Sequence, residues 1–334
     1  MGFIVKKCIR FTASVLLLFT VLNGNFIYAN SKADSKGEIR QITSISKNLD
    51  SEFNIDEKGV LIGYKGKSKN LIIPENVTAI GSRAFEGRAE IESVTFTENI
   101  KAIGESAFCG CSNLKEAFLP ESLETIEDSA FADCKKLEII YIGENVTEIG
   151  KKAFSGCENL YYISVNSDNS CFTAIDGVVY SKDLKKLIYC PEGFEGEIVV
   201  DDNTVIVEDR AFFNCRKLNK ATIGKSVMYI GKEAFYSCQD LENVILGENL
   251  KMIRPHAFEK CFKLTEVIIP GSVRNIGDGA FIECGSLKSI KFLNSKTKIS
   301  GNIISKNSKT VIVGYTGSTA EVYAKDKKLT FELI

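Results

Sequence analysis

The dipeptide Ala-Phe recurs at a fixed interval, and that interval limits what the chain can fold into. It occurs at Ala84-Phe85, Ala107-Phe108, Ala130-Phe131 and Ala153-Phe154, at a constant step of 23. It resumes at Ala211-Phe212, Ala234-Phe235, Ala257-Phe258 and Ala280-Phe281 with the same step of 23. From Phe154 to Phe212 the step is 58, one ordinary unit of 23 plus one of 35. Self-similarity at this period is the mark of a stacked repeat architecture.

Other columns keep the step. Three residues after Phe stand Cys111, Cys134, Cys157, Cys215, Cys238, Cys261 and Cys284, with Arg88 in the first unit. Three further on come Leu114, Leu137, Leu160, Leu218, Leu241, Leu264 and Leu287. Five residues before Phe the column reads Ile80, Ile103, Ile126, Ile149, Val207, Ile230, Ile253 and Ile276. Gly81, Gly104, Gly150, Gly231 and Gly277 follow in five units, where a tight turn is expected to need glycine. In Leu137 to Ile142, residues 140 and 142 share one face of a short strand, and 139 and 141 share the other. One such strand cannot bury its apolar face alone. Stacked coils at about 4.8 Å set each Leu, Ile, Phe and Cys above its counterpart, and ten coils give a rod on the order of 45 Å. Length alone suggests two domains; the period predicts one elongated one.

This unit, with Ala-Phe, the following Cys and Leu-x-x-Ile-x-Ile-Pro, resembles the BspA-like subclass of bacterial leucine-rich repeats. The likeness runs from about residue 53 to 334. Phe53 to Leu61, with Tyr64-Lys65-Gly66 after it, is similar to that family's opening hairpin. Phe172 to Pro191 is similar to its mid-array insertion, and Ile312 to Ala324 to its C-terminal closing hairpin. The resemblance implies a right-handed, mainly β solenoid on an exported or surface protein, often an adhesin or host-protein binder. Family members are frequently joined to wall-binding or sorting modules. Here the closing segment runs to Ile334 with no sorting motif or hydrophobic tail, which counts against stable surface attachment.

The organisation that follows is a signal peptide at 1–29, a leader and N-terminal cap hairpin at 30–67, the solenoid at 68–292 and a C-terminal cap hairpin at 293–334. The atypical 35-residue coil lies at 160–194. Lys6, Lys7 and Arg10 precede an apolar run from Phe11 to Leu22, which is too short to span a bilayer, since spanning needs about 20 apolar residues. Ala29 ends a cleavage site, and Cys8 lies on the wrong side of the run for lipid attachment. Cleavage removes three positive charges, leaving 39 basic against 43 acidic residues, so the mature protein is expected to be secreted, soluble and slightly acidic. No stretch elsewhere reaches membrane-spanning length, and the near-neutral balance excludes the basic footprint of nucleic-acid binding.

Chemistry has few candidates. The single His256 precedes Ala257-Phe258 in a slot held elsewhere by Arg83, Ser106, Ser129, Lys152, Arg210, Glu233 and Gly279, so it reads as a solvated turn residue. Gly224-Lys225-Ser226 imitates the end of a phosphate-binding loop, but Asn219 stands where that pattern requires glycine. Seven cysteines form one repeat column, read as a buried ladder of small apolar thiols whose side chains run parallel rather than converge. Cys109, Cys171 and Cys190 fall outside it; Cys171 with Cys190 could close the hairpin of the long coil, and Cys109-Gly110-Cys111 is too little for zinc. No pair of carboxylates is singled out by spacing. The chain is therefore expected to be no enzyme, with no cofactor and no metal.

The outward strand positions remain. One column reads Ser93, Glu116, Ile139, Tyr162, Lys220, Asn243, Glu266 and Ser289; the next reads Thr95, Phe118, Tyr141, Ser164, Thr222, Ile245, Ile268 and Lys291. Phe118, Ile139, Tyr141 and Tyr162 fall on adjacent coils and form the first candidate contact patch; Ile245 and Ile268 form a second. β-branched and aromatic residues also suit any strand. The expected function is recognition of an extracellular protein or glycan ligand by a monomer; the competing expectation is a cell-wall-associated spacer with no specific ligand.

Overall fold

The computed structural model describes residues 52–306 and 308–334. The expected signal segment 1–29 and the expected leader before residue 52 lie outside the described residues. Asn54–Ile334 form one compact unit, built from two rows of parallel strands that repeat once per coil. A long row comprises Asn70–Ile72, Ser93–Thr95, Glu116–Phe118, Ile139–Ile142 and Tyr162–Val165, then Glu195–Val199, Lys217–Thr222, Asn243–Ile245, Glu266–Ile269 and Ser289–Phe292. A short row carries the Ile column, from Ala79–Ile80 to Glu148–Ile149 and again from Ile206–Val207 to Lys298–Ile299. Registers advance by one repeat per strand, as in Tyr162 beside Ile139 and Tyr229 beside Ile206. The repeat is therefore a mainly β solenoid, as the period requires.

Alternation sorts the side chains. Ile140 and Ile142 are fully buried, while Ile139 and Tyr141 are half-buried on the other face. The Phe column is buried throughout and stacks ring on ring: Phe85, Phe108, Phe131 and Phe154 lie 4.9, 5.2 and 5.8 Å apart within 12° of parallel. Phe212, Phe235, Phe258 and Phe281 follow at 4.5, 5.0 and 5.4 Å.

The cysteine column does more than fill space. Its thiols are free and buried, and each donates to a carbonyl of the preceding coil, as Cys134 Sγ to Phe108 O at 3.2 Å and Cys238 Sγ to Phe212 O at 3.1 Å. Burial pushes the Cys111 thiol up to about 12 and raises those of Cys134, Cys238 and Cys261 as well, so they remain protonated donors. Cys171 and Cys190 are also free thiols.

Each regular coil turns through two left-handed residues, two before and two after Phe. The first slot runs from Arg83 (φ 60°) through Ser129, Lys152 and His256 to Gly279 (φ 69°); the second includes Gly110, Asp133, Asn214, Lys260 and Glu283. This conformation costs about 1–2 kcal/mol for each residue with a side chain. It aims three backbone N–H groups at the next coil: Ser129 donates to Lys151 O, Phe131 to Ala153 O and Asp133 to Ser155 O at 2.8–3.1 Å. The glycine after the Ile column serves another end than the tight turn expected of it. Its φ is not left-handed; instead a Cβ on Gly150 would stand 2.3 Å from Asp128 N, and one on Gly231 2.4 Å from Asp209 N. The requirement is close approach of successive backbones.

The long coil interrupts both rows. Phe172–Ile175, Val178–Ser181 and Lys186–Tyr189 form an antiparallel meander whose last strand joins the second half of the short row. No strand before residue 166 pairs with any strand after it among the described residues. Tyr189, one repeat step before Phe212, takes the Phe slot: its ring lies 6.1 Å from Phe154 and its hydroxyl donates to Phe154 O at 3.1 Å. Glu192, one repeat step before Cys215, does not continue the thiol ladder: its carboxylate accepts from Gly156 N, and the Cys190 thiol lies beside Cys215 instead.

At the N-terminal end, Phe53–Ile55 and Val60–Tyr64 are neighbouring strands joined through a turn at Asp56–Gly59, and the Tyr64 ring covers Phe85 at 5.8 Å. The C-terminal cap is not the hairpin expected from the sequence. Val311–Gly314 and Phe331–Leu333 pair in parallel, and parallel neighbours need a crossover, supplied by the helix Thr319–Lys327. Ser318 caps that helix by accepting from Glu321 N at 3.2 Å, and Glu321 reaches back to Gly317 N. Ala320, Tyr323 and Ala324 turn inward, and Ile303 N donates to the Tyr323 hydroxyl, so the helix closes the core.

Candidate functional site

The outward face of the long row is where the fold leaves side chains free to meet another molecule. Pairing is in register, so each outward column is a straight line across coils: Ser93 beside Glu116, Thr95 beside Phe118, Ile139 beside Tyr162, Tyr141 beside Ser164. In the second half, Val199 lies beside Thr222, Thr222 beside Ile245, and Ile268 beside Lys291.

The first candidate patch is divided and partly covered. Ile139 and Tyr162 are direct neighbours, but Phe118 stands on a strand of a separate sheet. All four residues, Phe118, Ile139, Tyr141 and Tyr162, are half-buried. The Tyr141 phenol is pushed up by burial and by Glu121, with which it hydrogen-bonds, and Asn166 bonds it from the other side. Over Tyr162 lies the long coil's own meander: Gly177 packs so closely on the ring that a Cβ there would stand 2.7 Å from it, and Ile163 N donates to Gly177 O. Only glycine, here at φ 84°, permits that approach.

The second patch is open. Ile245 is 53% exposed and Ile268 47% exposed. Val199 continues their column at 70% and Ile72 occupies the same column in the first half at 69%. Counting repeats from the Ala-Phe dipeptide passes over these two, because Val199 follows the long coil and Ile72 precedes the first unit; their signal is the alternation in Glu197-Ile198-Val199 and Asn70-Leu71-Ile72. Beside the column run polar residues, including the ion pair of Lys220 with Glu197 at 3.0 Å and the exposed Asn243 and Glu266. An apolar line with a polar border is the make-up of a recognition surface.

Elsewhere the chemistry is sparse. His256 Nδ1 meets Glu259 Oε2 at 2.5 Å in a left-handed turn. Among the described residues no group of three or more His, Cys, Asp or Glu is placed to hold a metal, and no helix is long and apolar enough to cross a membrane.

The sequence matches the family model of the BspA type leucine rich repeat region in 6 copies, over residues 63–178 and 194–311. No curated protein matches it. Among solved structures, it is similar to the pneumococcal vaccine antigen PcpA, with 22% identity and a TM-score of 0.63 over 84% of this chain and 82% of that chain. It is also similar to a leucine-rich repeat protein from Eubacterium ventriosum, with 18% identity and a TM-score of 0.53 over 77% of this chain and 73% of that one. A leucine rich cell surface protein from Faecalibacterium prausnitzii aligns at 24% identity and a TM-score of 0.49, over 72% of this chain and 86% of that one.

Proposed function

Because the chain belongs to the BspA-type leucine-rich-repeat family, we propose that it is a secreted or cell-surface binding protein that takes up a protein or glycan ligand without catalysis. The observation that carries this reading is the exposed apolar column Val199, Ile245 and Ile268 on an in-register sheet. Exposed residues of this size, gathered in a line, contribute nothing to the core and are a cost in solubility unless a partner covers them. Export is supported by the charged and apolar pattern of residues 1–29. The half-buried patch of Phe118, Ile139, Tyr141 and Tyr162 is the second surface offered to the ligand.

The test is capture of host matrix proteins and bacterial wall fractions by the intact chain and by an Ile245→Asp/Ile268→Asp variant. The variant is expected to keep its melting temperature, since both side chains face solvent, and to lose the retained partner. A Tyr141→Asp/Tyr162→Asp variant assigns the contact between the two patches. Equal retention by all three chains, or no specific retention by any, would leave the spacer reading in place and overturn this one.

A further inference from the structure

Where the long coil diverts the chain, the regular ladder of turn hydrogen bonds loses its next rung. In the coil before, Ser129, Phe131 and Asp133 donate to Lys151, Ala153 and Ser155; in the coil after, Arg210, Phe212 and Asn214 donate to Lys232, Ala234 and Tyr236. The equivalent donors at the break are Lys152, Phe154 and Gly156. Gly156 N donates to the carboxylate Oε1 of Glu192 at 2.8 Å. The N–H groups of Lys152 and Phe154 have no acceptor among the described residues. The repeat aims them the same way as their counterparts, and there they meet a cavity of about 660 Å³, lined in part by Lys152, Phe154, Ile163, Val179, Ile188 and Phe213. Its volume lies in the range of ligand pockets.

The two open donors have a cationic setting. Lys151 and Lys152 both line the cavity, and neither has an ion-pair partner among the described residues. The other cations there are already matched: Lys186 with Glu208 at 3.2 Å, and Arg210 and Lys232 with Glu233 at 2.9 and 3.4 Å. Facing the donors, the carbonyls of Asp209 and Phe213 sit where the next coil's Lys232 and Tyr236 carbonyls each accept a bond, and they accept none among the described residues. Glu192 already demonstrates the chemistry of the row, since one of its three donors holds a carboxylate.

We propose that this cavity is a second binding site, which takes the carboxylate end of a peptide. The carboxylate bridges the N–H groups of Lys152 and Phe154 with Lys151 and Lys152 beside it, a charge-assisted arrangement of the kind that successive backbone amides make with anions. The adjoining amide N–H of the ligand donates to the Asp209 or Phe213 carbonyl, and its apolar side chain fills the space against Ile163, Val179 and Ile188. The site is independent of the sheet face and stands whether or not that face binds anything.

Amide NMR of the full chain, titrated with N-acetyl-L-leucine and separately with N-acetyl-L-leucinamide, tests it. The Lys152 and Phe154 resonances are expected to shift saturably with the acid. The amide, which lacks the charge, is expected to need about tenfold more, and a Lys151→Glu/Lys152→Glu variant to weaken the acid's effect by at least about that factor. If the double variant fails to fold, Lys152→Gly serves instead: Gly279 holds the equivalent slot at φ 69°, so the substitution keeps the N–H and the backbone and removes one charge. Unmoved Lys152 and Phe154 resonances at millimolar acid, or equal shifts from acid and amide, would overturn the proposal.

Discussion

Replacing Phe235 by leucine, with Phe281 as its comparison, separates ring stacking from simple burial. Phe235 is fully buried between Phe212 at 4.5 Å and Phe258 at 5.0 Å, with interplanar angles of 8° and 7°. Phe281 is 1% exposed and has one stacked neighbour, Phe258 at 5.4 Å. Leucine keeps most of the apolar volume at either place, so the transfer loss is similar. An aromatic pair contributes about 0.5–1.5 kcal/mol beyond its buried area, so Phe235→Leu forfeits two such contributions and Phe281→Leu one. The expected difference is about 1 kcal/mol, on top of a shared cost for imperfect packing of about 1 kcal/mol. Urea unfolding followed by circular dichroism gives the totals, provided the m values agree. Hydrogen exchange at the amides of the neighbouring coils gives the local values if the array unfolds in parts. Equal losses at the two positions would refute the stacking argument and reduce the rings to volume. A loss at Phe235 well below that at Phe281 would mean that the interior collapses around the smaller side chain more easily than the end does.

Two further perturbations follow from the turns and from the break. Glu283 occupies a left-handed slot with its N–H bonded to Ser305 Oγ, so Glu283→Gly keeps the bond and is expected to stabilise by about 1 kcal/mol, whereas Gly110→Ala in the equivalent slot is expected to cost about 1–2 kcal/mol; melting curves give both signs. Burial raises the Glu192 carboxyl above the ordinary 4.5, against the pull of Gly156 N–H and the Asn214 side chain. The native state therefore holds this proton more firmly than the unfolded chain does, and its contribution falls as pH rises from about 4.5 through the raised value. Glu192→Gln retains an oxygen for Gly156, so it is expected to gain on the parent at neutral pH and to lose that advantage below the ordinary carboxylate range. Parallel pH–stability curves would disprove the assignment.

What could be read from the chain beforehand tracks how each residue is selected. Phe, Leu, Ile and Cys columns were legible because each coil solves the same packing problem with the same side chain. The left-handed slots were not, because Arg83, Ser129 and Lys152 carry no mark of their backbone angle; glycine betrays the conformation only at a few of them. The Gly column is visible but its cause is not, since sequence does not distinguish a turn from a close approach. Tyr189 keeps the Phe slot of the long coil with another residue type, and only the repeat step back from Phe212 identifies it. The closing helix hides behind a weakly amphipathic stretch, although Ser318 and Glu321 stand at the spacing of a capping pair. The outward columns are legible in the strand alternation, but which part lies open depends on where the meander folds, and that is a property of the assembled coils.

The break in pairing also has a mechanical meaning. Hydrogen bonds between coils run along the stack, so a pull along it loads every coil interface in series, and a series yields at its weakest member. An ordinary interface resists with a long-row ladder, a short-row pair and three turn bonds, as between the coils of Phe108 and Phe131. At the long coil no strands pair across among the described residues, and the backbone bonds that bridge it there are those of Gly193 to Leu160 and Ile163 to Gly177. Tension therefore opens the array there first, and the linking residues between Val165 and Phe172 extend at up to about 3.5 Å each, while the meander stays paired to the second stack through Lys186–Tyr189. The insertion acts as an extensible joint in an otherwise stiff rod.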